Sequence, residues 1–318
     1  MKRWFLGLTL LVFLLISGIY LLIPGKLEIT CIKKMNCPAS ATFRKISDSK
    51  QWVRWFPEIP FPTDTNEFQA TPVLKYHSYS YRHIRPYISA VRLLIAGNHD
   101  STSTSIIILQ EPGNTASVEW HAEITTGLNP MEKLLSYNRA VNIKKDMQAI
   151  LKRMSDFLGK TENVYGIKIE RVILRDSSLV ATKTQLPSYP GTPEVYQMVR
   201  QLKAYIFKKN ISATGEPMLN VTKTGDGRYT TMVAMPVNTS STGNGDIFFT
   251  KMVPGNFMTA VVRGNQDKVN SALNQLKLFV DDYNKTAMAI PFQTLITDRN
   301  LEPDAAHWIT RLYIPVIE

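Results

Sequence analysis

The segment "PFQTLITDR", residues 291–299, places a carboxamide among the apolar residues of a predicted strand. Alternate side chains of a strand point to opposite faces, so Gln293 and Leu295 share one face and Phe292 lies on the other. A neutral amide offers one acceptor and two donors, whereas a buried glutamate can balance a cation or act as a base. Gln293 is therefore a candidate ligand contact. An amide that only satisfies neighbouring backbone groups is the alternative.

A second polar segment, "KYHSYSYRHIRPY", contains alternating aromatic residues. On a continuous strand, His77, Tyr79 and Tyr81 share one face and can line a cavity with hydrogen-bonding groups. A histidine near its usual pKa of about 6.5 can also act as an acid or base, although no partner for it is identifiable in the sequence. A solvent-facing aromatic ladder is the alternative. In the C-terminal half, the further ligand-binding candidates are Tyr229, Phe257 and Trp308, each of which can equally be a core residue.

The sequence contains none of the common motifs for nucleophilic hydrolysis, phosphate binding or metal binding. It contains no GxSxG motif, no Gly-rich phosphate loop, no HExxH and no CxxC. Its two cysteines, Cys31 and Cys37, lie in and after a predicted strand, where the extended chain holds them too far apart for a disulfide. We therefore predict no catalytic residues, no metal site and no cofactor.

Length and charge narrow the class of protein. A chain of 318 residues, 44% hydrophobic and 20% charged, is typical of about two globular domains. The formal net charge of +11 suits a nucleic acid or an anionic membrane, and it is equally typical of a solvated basic surface.

The N-terminal segment predicts a membrane anchor over residues 1–26. Between Arg3 and Pro24 the chain has no charged residue, and such a length matches the ~30 Å hydrocarbon core of a bilayer. Lys2 and Arg3 precede it, so the N-terminus is predicted to be cytoplasmic and the soluble domains extracytoplasmic. A cleaved signal peptide is the competing interpretation. Because of the anchor, we expect membrane and small-molecule partners and no nucleic acid.

The elements of residues 27–160 come in the order strand, short helix, Trp-rich segment, antiparallel strands and long helix. The long helix is predicted to begin at the N-cap Asn129 with Pro130 in its first turn and to end at Gly159. The segments "CPASATFRKISDSKQWVRWFP" and "GLNPMEKLLSYNRAVNIKKDMQAILKRMSDFL" resemble the START-like superfamily, also called SRPBCC or polyketide cyclase-like. The resemblance implies a helix-grip fold that encloses an apolar cavity.

Residues 161–318 repeat a strand-helix-strand-strand pattern, at about 165–237 and 247–316. The segments "KMVPGNFMTAVVRG", "ALNQLKLFVDDY", "PFQTLITD" and "WITRLYIPV" resemble the gyrase-inhibitor-like domain, which is also the effector-binding domain of certain transcription activators. Members that bind cationic drugs or hydrolyse electrophiles usually have a glutamate on the strand that matches "PFQTLITD". In this chain the matching positions hold Gln293 and Leu295, so the resemblance implies binding without catalysis.

Together these observations predict an α+β protein with an N-terminal transmembrane helix, a helix-grip antiparallel sheet domain and a duplicated β-α-β-β effector-binding-like domain. The predicted function is a membrane-anchored, non-enzymatic binding protein for small apolar or amphipathic ligands. Two alternatives remain: a cyclase-like or hydrolytic enzyme that uses the START-like cavity, and an envelope protein-interaction module. An open cavity with convergent polar groups would favour binding or catalysis, and a filled interior would favour the interaction module.

Overall fold

The computed structural model of the protein divides into two compact units, residues 1–160 and 161–318. It describes residues 2–57, 73–97, 100–175 and 177–317. Both units combine helices with sheets in which all strand pairs are antiparallel, so the predicted α+β class is confirmed.

The predicted N-terminal helix forms as α1, Lys2–Leu22. A helix that crosses a bilayer needs about 20 largely apolar residues. Across the parts of the chain that the structure describes, no helix is both long enough and apolar enough to span a membrane. The prediction of a transmembrane anchor is therefore not supported.

The first unit is built on a six-stranded sheet with the order β1-β6-β5-β4-β3-β2. The chain passes from β2 to β6 as a meander, and β1 closes the sheet by pairing with β6, with Cys31 opposite Trp120. Both cysteines are buried, and they are not joined by a disulfide. The strands are β1 (Lys26–Met35), β2 (Val73–Tyr76), β3 (Tyr79–Pro86), β4 (Ala90–Ala96), β5 (Ser101–Glu111) and β6 (Thr115–Thr125).

The long helix of the first unit begins and ends where its capping residues predict. The long helix α3, Pro130–Leu158, begins at Asn129, whose side chain accepts a hydrogen bond from the Met131 amide, and ends at Gly159. It lies along β1 and β6. The short helix α2, Ala39–Ser47, is shorter than the sequence predicts, because the aromatic segment after it forms a separate 3₁₀ turn, Ser49–Arg54.

The second unit has a nine-stranded sheet in which two copies of one motif face each other. The order is β11-β8-β10-β9-β14-β15-β12-β7, with β13 paired to β15, so β8-β10-β9 is mirrored by β12-β15-β14. Each copy also supplies an outer strand to the other: β7 pairs with β12, and β11 pairs with β8. The strands are β7 (Glu170–Leu174), β8 (Ser177–Leu186), β9 (Met218–Lys223), β10 (Tyr229–Val237), β11 (Ile247–Met252), β12 (Gly255–Arg263), β13 (Thr286–Ala287), β14 (Phe292–Leu295) and β15 (Ile309–Ile317).

Two helices cover one face of this sheet. Helix α5, Thr192–Lys208, packs on β8 and β10, and helix α6, Gln266–Asp282, packs on β12 and β15. A third, α4 (Thr161–Tyr165), is a single short turn. Val180 and Val233 share a buried cluster with residues of α5, whereas their strand neighbours Leu179 and Ala234 belong to another cluster. Because alternate residues point to opposite faces, this second cluster lies on the sheet face that α5 does not cover.

Candidate functional site

The sheet face opposite α5 contains an apolar cavity of about 840 Å³. Such a volume is typical of sites that enclose a small molecule. Its floor comes from β8, β9 and β10, and its rim from the turn between β11 and β12 and from the segment 288–290. The wall side chains are mostly methionine, phenylalanine and aliphatic residues, among them Met218, Met232, Met252, Phe257, Ile290 and Phe292.

A second cavity, of about 560 Å³, lies beside helix α6. We call it the amide cavity because Asn220, Asn270 and Gln293 line it together with Tyr189. It adjoins the apolar cavity where β9 and β14 stop pairing, and Leu219, Asn220, Phe292 and the segment 288–290 border both. The gap is bordered by residues 288–291, which lie between β13 and β14 and belong to neither strand.

Gln293 lies at the buried end of the amide cavity, with 7% of its surface exposed. Its Oε1 is buried and has no hydrogen-bond partner among the residues that the structure describes. Burial raises the pKa of the neighbouring Tyr189 phenol, while hydrogen bonding with the Gln293 side chain and the positive charge of Arg299 oppose that rise. A buried carbonyl oxygen without a donor is costly, so Oε1 is a natural acceptor for an N–H or O–H of a bound molecule or water.

A hydrogen-bond network connects this end of the cavity to a buried arginine. Gln266 Nε2 donates to the Tyr189 hydroxyl and to Asn270 Oδ1, each over 3.1 Å. Arg299 in turn donates from Nη1 to Gln266 Oε1 and from Nη2 to the Thr310 hydroxyl, each over 3.0 Å. Only 8% of Arg299 is exposed, and burial lowers the pKa of its guanidinium. Its charge is therefore held against neutral oxygens at the back of the cavity.

The other predicted residues of this unit lie in different places. Phe257 lines the apolar cavity and packs edge-on against Phe292. Tyr229 is not among the residues that line the amide cavity; its ring lies edge-on to that of Tyr189 at 5.7 Å and under the Lys223 ammonium at 5.9 Å. Trp308 lines neither cavity; its ring stacks on the Arg299 guanidinium at 4.6 Å.

In the first unit the expected shared face of His77, Tyr79 and Tyr81 does not form. His77 lies in the turn between β2 and β3, with a φ of +49°, because Tyr76 pairs directly with Tyr79. The turn nevertheless brings His77 to a residue that sequence reasoning missed, Asp146 of α3. Asp146 accepts hydrogen bonds from the Tyr81 hydroxyl at 3.1 Å and contacts His77 Nδ1 at 2.8 Å.

Tyr81 is a core residue and not a free cavity wall. Its ring packs with Phe56 at 5.5 Å and Trp120 at 6.1 Å, and all three are buried. Trp52 extends this cluster, and its Nε1 donates to the Ile46 carbonyl over 2.7 Å. Tyr79 is only half-buried, and burial raises its pKa while Arg139 opposes the rise. Asp146 was missed because a carboxylate on a helix normally faces solvent, and only the tertiary fold sets it opposite a tyrosine.

No protein-family model and no curated protein matches this chain. Solved structures do resemble it. The EcmrR C-terminal domain is 16% identical with a TM-score of 0.43, over 48% of this chain and 98% of that chain. The EcmrR–DNA complex is 16% identical with a TM-score of 0.45, over 59% and 72%. A START superfamily protein from Mycobacterium smegmatis is 13% identical with a TM-score of 0.27, over 40% and 98%.

One of these structures corrects an expectation drawn from the sequence. The EcmrR structure is a complex with DNA, which contradicts the prediction that this chain has no nucleic-acid partner. That prediction depended on a transmembrane anchor, which the described helices do not support. The net charge of +11 is itself compatible with a polyanion.

Proposed function

We propose that the second unit binds small apolar or amphipathic molecules in its two adjoining cavities and catalyses no reaction on them. The apolar cavity carries this proposal: about 840 Å³ walled largely by aliphatic, methionine and phenylalanine side chains on the sheet face that α5 and α6 do not cover. Methionine side chains adapt to differently shaped apolar molecules, and aromatic rings supply large contact areas. Such a wall favours binding by shape and burial.

The chemistry of the walls supports binding without catalysis. No aspartate, glutamate or histidine is among the described residues that line either cavity. The carboxylates and histidines that most often serve as general bases or activate a nucleophile are thus missing from these described walls, and we assign binding roles to the lysines and Tyr189 that line them. Gln293 can orient a ligand by hydrogen bonding, but a carboxamide does not exchange protons near neutral pH.

A neutral apolar dye tests the proposal. N-phenyl-1-naphthylamine fluoresces when it leaves water, so its titration into the full chain reports an apolar site. Met232 lines the apolar cavity and is half-buried, and Met232→Trp should fill part of that space and weaken binding by about tenfold or more. The control is Met131→Trp on the first unit, where Met131 is 63% exposed. Equal dye affinity for both variants and the wild type would contradict the proposal.

The location outside the cytoplasm is a separate proposal. It is supported by Lys2 and Arg3, which precede a charge-free apolar segment, a pattern shared with secretory signal peptides. Alkaline phosphatase is active only outside the cytoplasm, so we expect activity from a fusion after Glu318. An inactive phosphatase together with an active cytoplasmic reporter at the same position would refute this location.

A further inference from the structure

The mouth of the amide cavity is positively charged. Its mouth is flanked by two exposed lysines, Lys223 at the end of β9 and Lys277 on α6. Neither has a carboxylate within ion-pair distance among the described residues. Lys223 Nζ lies over the Tyr229 ring at 5.9 Å, a cation–π contact that leaves its N–H groups able to donate to an anion, and Lys277 contacts no acidic group of the described residues.

A third positive charge, that of Arg299, lies behind the wall of the cavity and connects to the lining residue Tyr189 through Gln266. The guanidinium of Arg299 is buried, its hydrogen bonds go to Gln266 and Thr310, and no acidic group of the described chain contacts it. A buried charge without a counter-ion acts over a longer distance than an exposed one, because water screens it less. Its effect reaches the cavity wall, since it is one of the causes that oppose the raised pKa of Tyr189.

The walls between these charges are suited to an apolar body. Val221, Leu273 and Ile290 line the middle of the amide cavity. Gln293 adds a buried oxygen that can accept from an N–H or O–H of the ligand. An organic cation would meet two lysines and no carboxylate among the described lining residues, with the charge of Arg299 behind the wall.

We propose that the amide cavity is a site for amphipathic organic acids, with the acidic group held by Lys223 and Lys277 and the apolar part against Val221, Leu273 and Ile290. This proposal rests on the proposed function and names the ligand class of one of its two cavities. Carboxylates and sulfonates share the chemistry that the lysines recognise, so either acid should bind.

A pair of dyes that differ in one anionic group tests it. 1-Anilinonaphthalene-8-sulfonate and N-phenyl-1-naphthylamine share the anilinonaphthalene body, and only the first carries a sulfonate. We expect the full chain to bind the sulfonate at least about fivefold more tightly than the neutral dye. In Lys223→Gln/Lys277→Gln this preference should be lost while the affinity for the neutral dye is unchanged. Lys268→Gln/Lys208→Gln is the charge-matched control, since neither lysine lines the amide cavity, and it should keep the preference.

The outcomes separate the two proposals. If the wild type binds the neutral dye but shows no preference for the sulfonate, or if the preference survives in the double variant, the acid site is refuted and the binding function stands. If the control loses the preference as well, the effect comes from net charge and the acid site is again refuted. If neither dye binds the wild type, both proposals are refuted.

Discussion

Replacing Lys45 by methionine should stabilise the first unit at neutral pH. Lys45 lies in α2 with its ammonium group largely withdrawn from water, and this burial, together with the charges of Arg54 and Arg44, lowers its pKa from 10.5 to about 8. The charged form is thus disfavoured in the folded state. Lys45→Met keeps an unbranched side chain in the same space and removes the charge.

The size of the effect follows from the shift in pKa. The difference between 10.5 and about 8 is 2.5 pKa units, and at 1.36 kcal/mol per unit this gives a ceiling of about 3.4 kcal/mol. Part of the side chain still contacts water, so we expect a gain of about 1–2 kcal/mol at pH 7.

The size of the stabilisation by Lys45→Met should depend on pH, whereas an effect of packing alone would not. Below pH 8 the lysine is charged in both states and the cost is complete, and above about 10.5 it is neutral in both states and the cost is absent. The free energy of unfolding of the wild type should therefore rise relative to that of Lys45→Met as the pH increases through this window. More than half of the difference should have disappeared by about pH 9.5.

Urea unfolding at pH 7 and pH 9.5 measures this difference. The fluorescence of Trp52, Trp55 and Trp120, all buried in the first unit, reports the transition. Lys50→Met, at an exposed position of the adjoining 3₁₀ turn, is the control and should change stability little at either pH. If Lys45→Met gives no stabilisation at pH 7, or the same stabilisation at both values, the reasoning is wrong.

Three further predictions concern single side chains. Gln293→Glu should weaken the binding of 1-anilinonaphthalene-8-sulfonate by about tenfold or more, because a carboxylate in the wall of the amide cavity repels the sulfonate; a fluorescence titration in which the variant binds this dye as tightly as the wild type would refute this. His83 packs edge-on against Trp52, and burial lowers the pKa of its imidazole. The wild type should therefore lose stability relative to His83→Phe as the pH falls below about 6.5. Parallel pH profiles of the two melting temperatures would contradict this prediction. Tyr81→Phe should cost about 1–3 kcal/mol in urea unfolding, because Asp146 loses a buried donor, and an unchanged midpoint would show that water replaces the hydroxyl.

The sequence predicted the ends of the long helix better than the pairing of the strands, because helix capping depends on neighbouring residues and strand pairing does not. Asn129, Pro130 and Gly159 bound α3 in the structure because capping depends on a few neighbouring residues. The duplication in the second unit was visible as a repeated element order, but the exchange of β7 and β11 between the copies was not, because strand exchange leaves no local signal. The turn at His77 also escaped prediction, since the sequence there has none of the residues that favour a left-handed conformation most strongly, such as Gly or Asn.

In the candidate site, the sequence predicted which strand face each residue occupies but not which distant residues it contacts. Strand alternation predicted that Gln293 and Phe292 lie on opposite faces. In the structure Gln293 lines the amide cavity, and the ring of Phe292 stacks on that of Tyr313. No sequence pattern connected Gln293 to Arg299, because the path runs through Tyr189 and Gln266, which lie in different parts of the chain. The identity of residue 293 therefore predicts only that a carboxylate is missing. Arg299 lies buried behind the wall of the amide cavity, and no acidic side chain of the described residues balances its charge. A ligand that carries a negative charge should therefore bind this cavity more tightly than a neutral or cationic one.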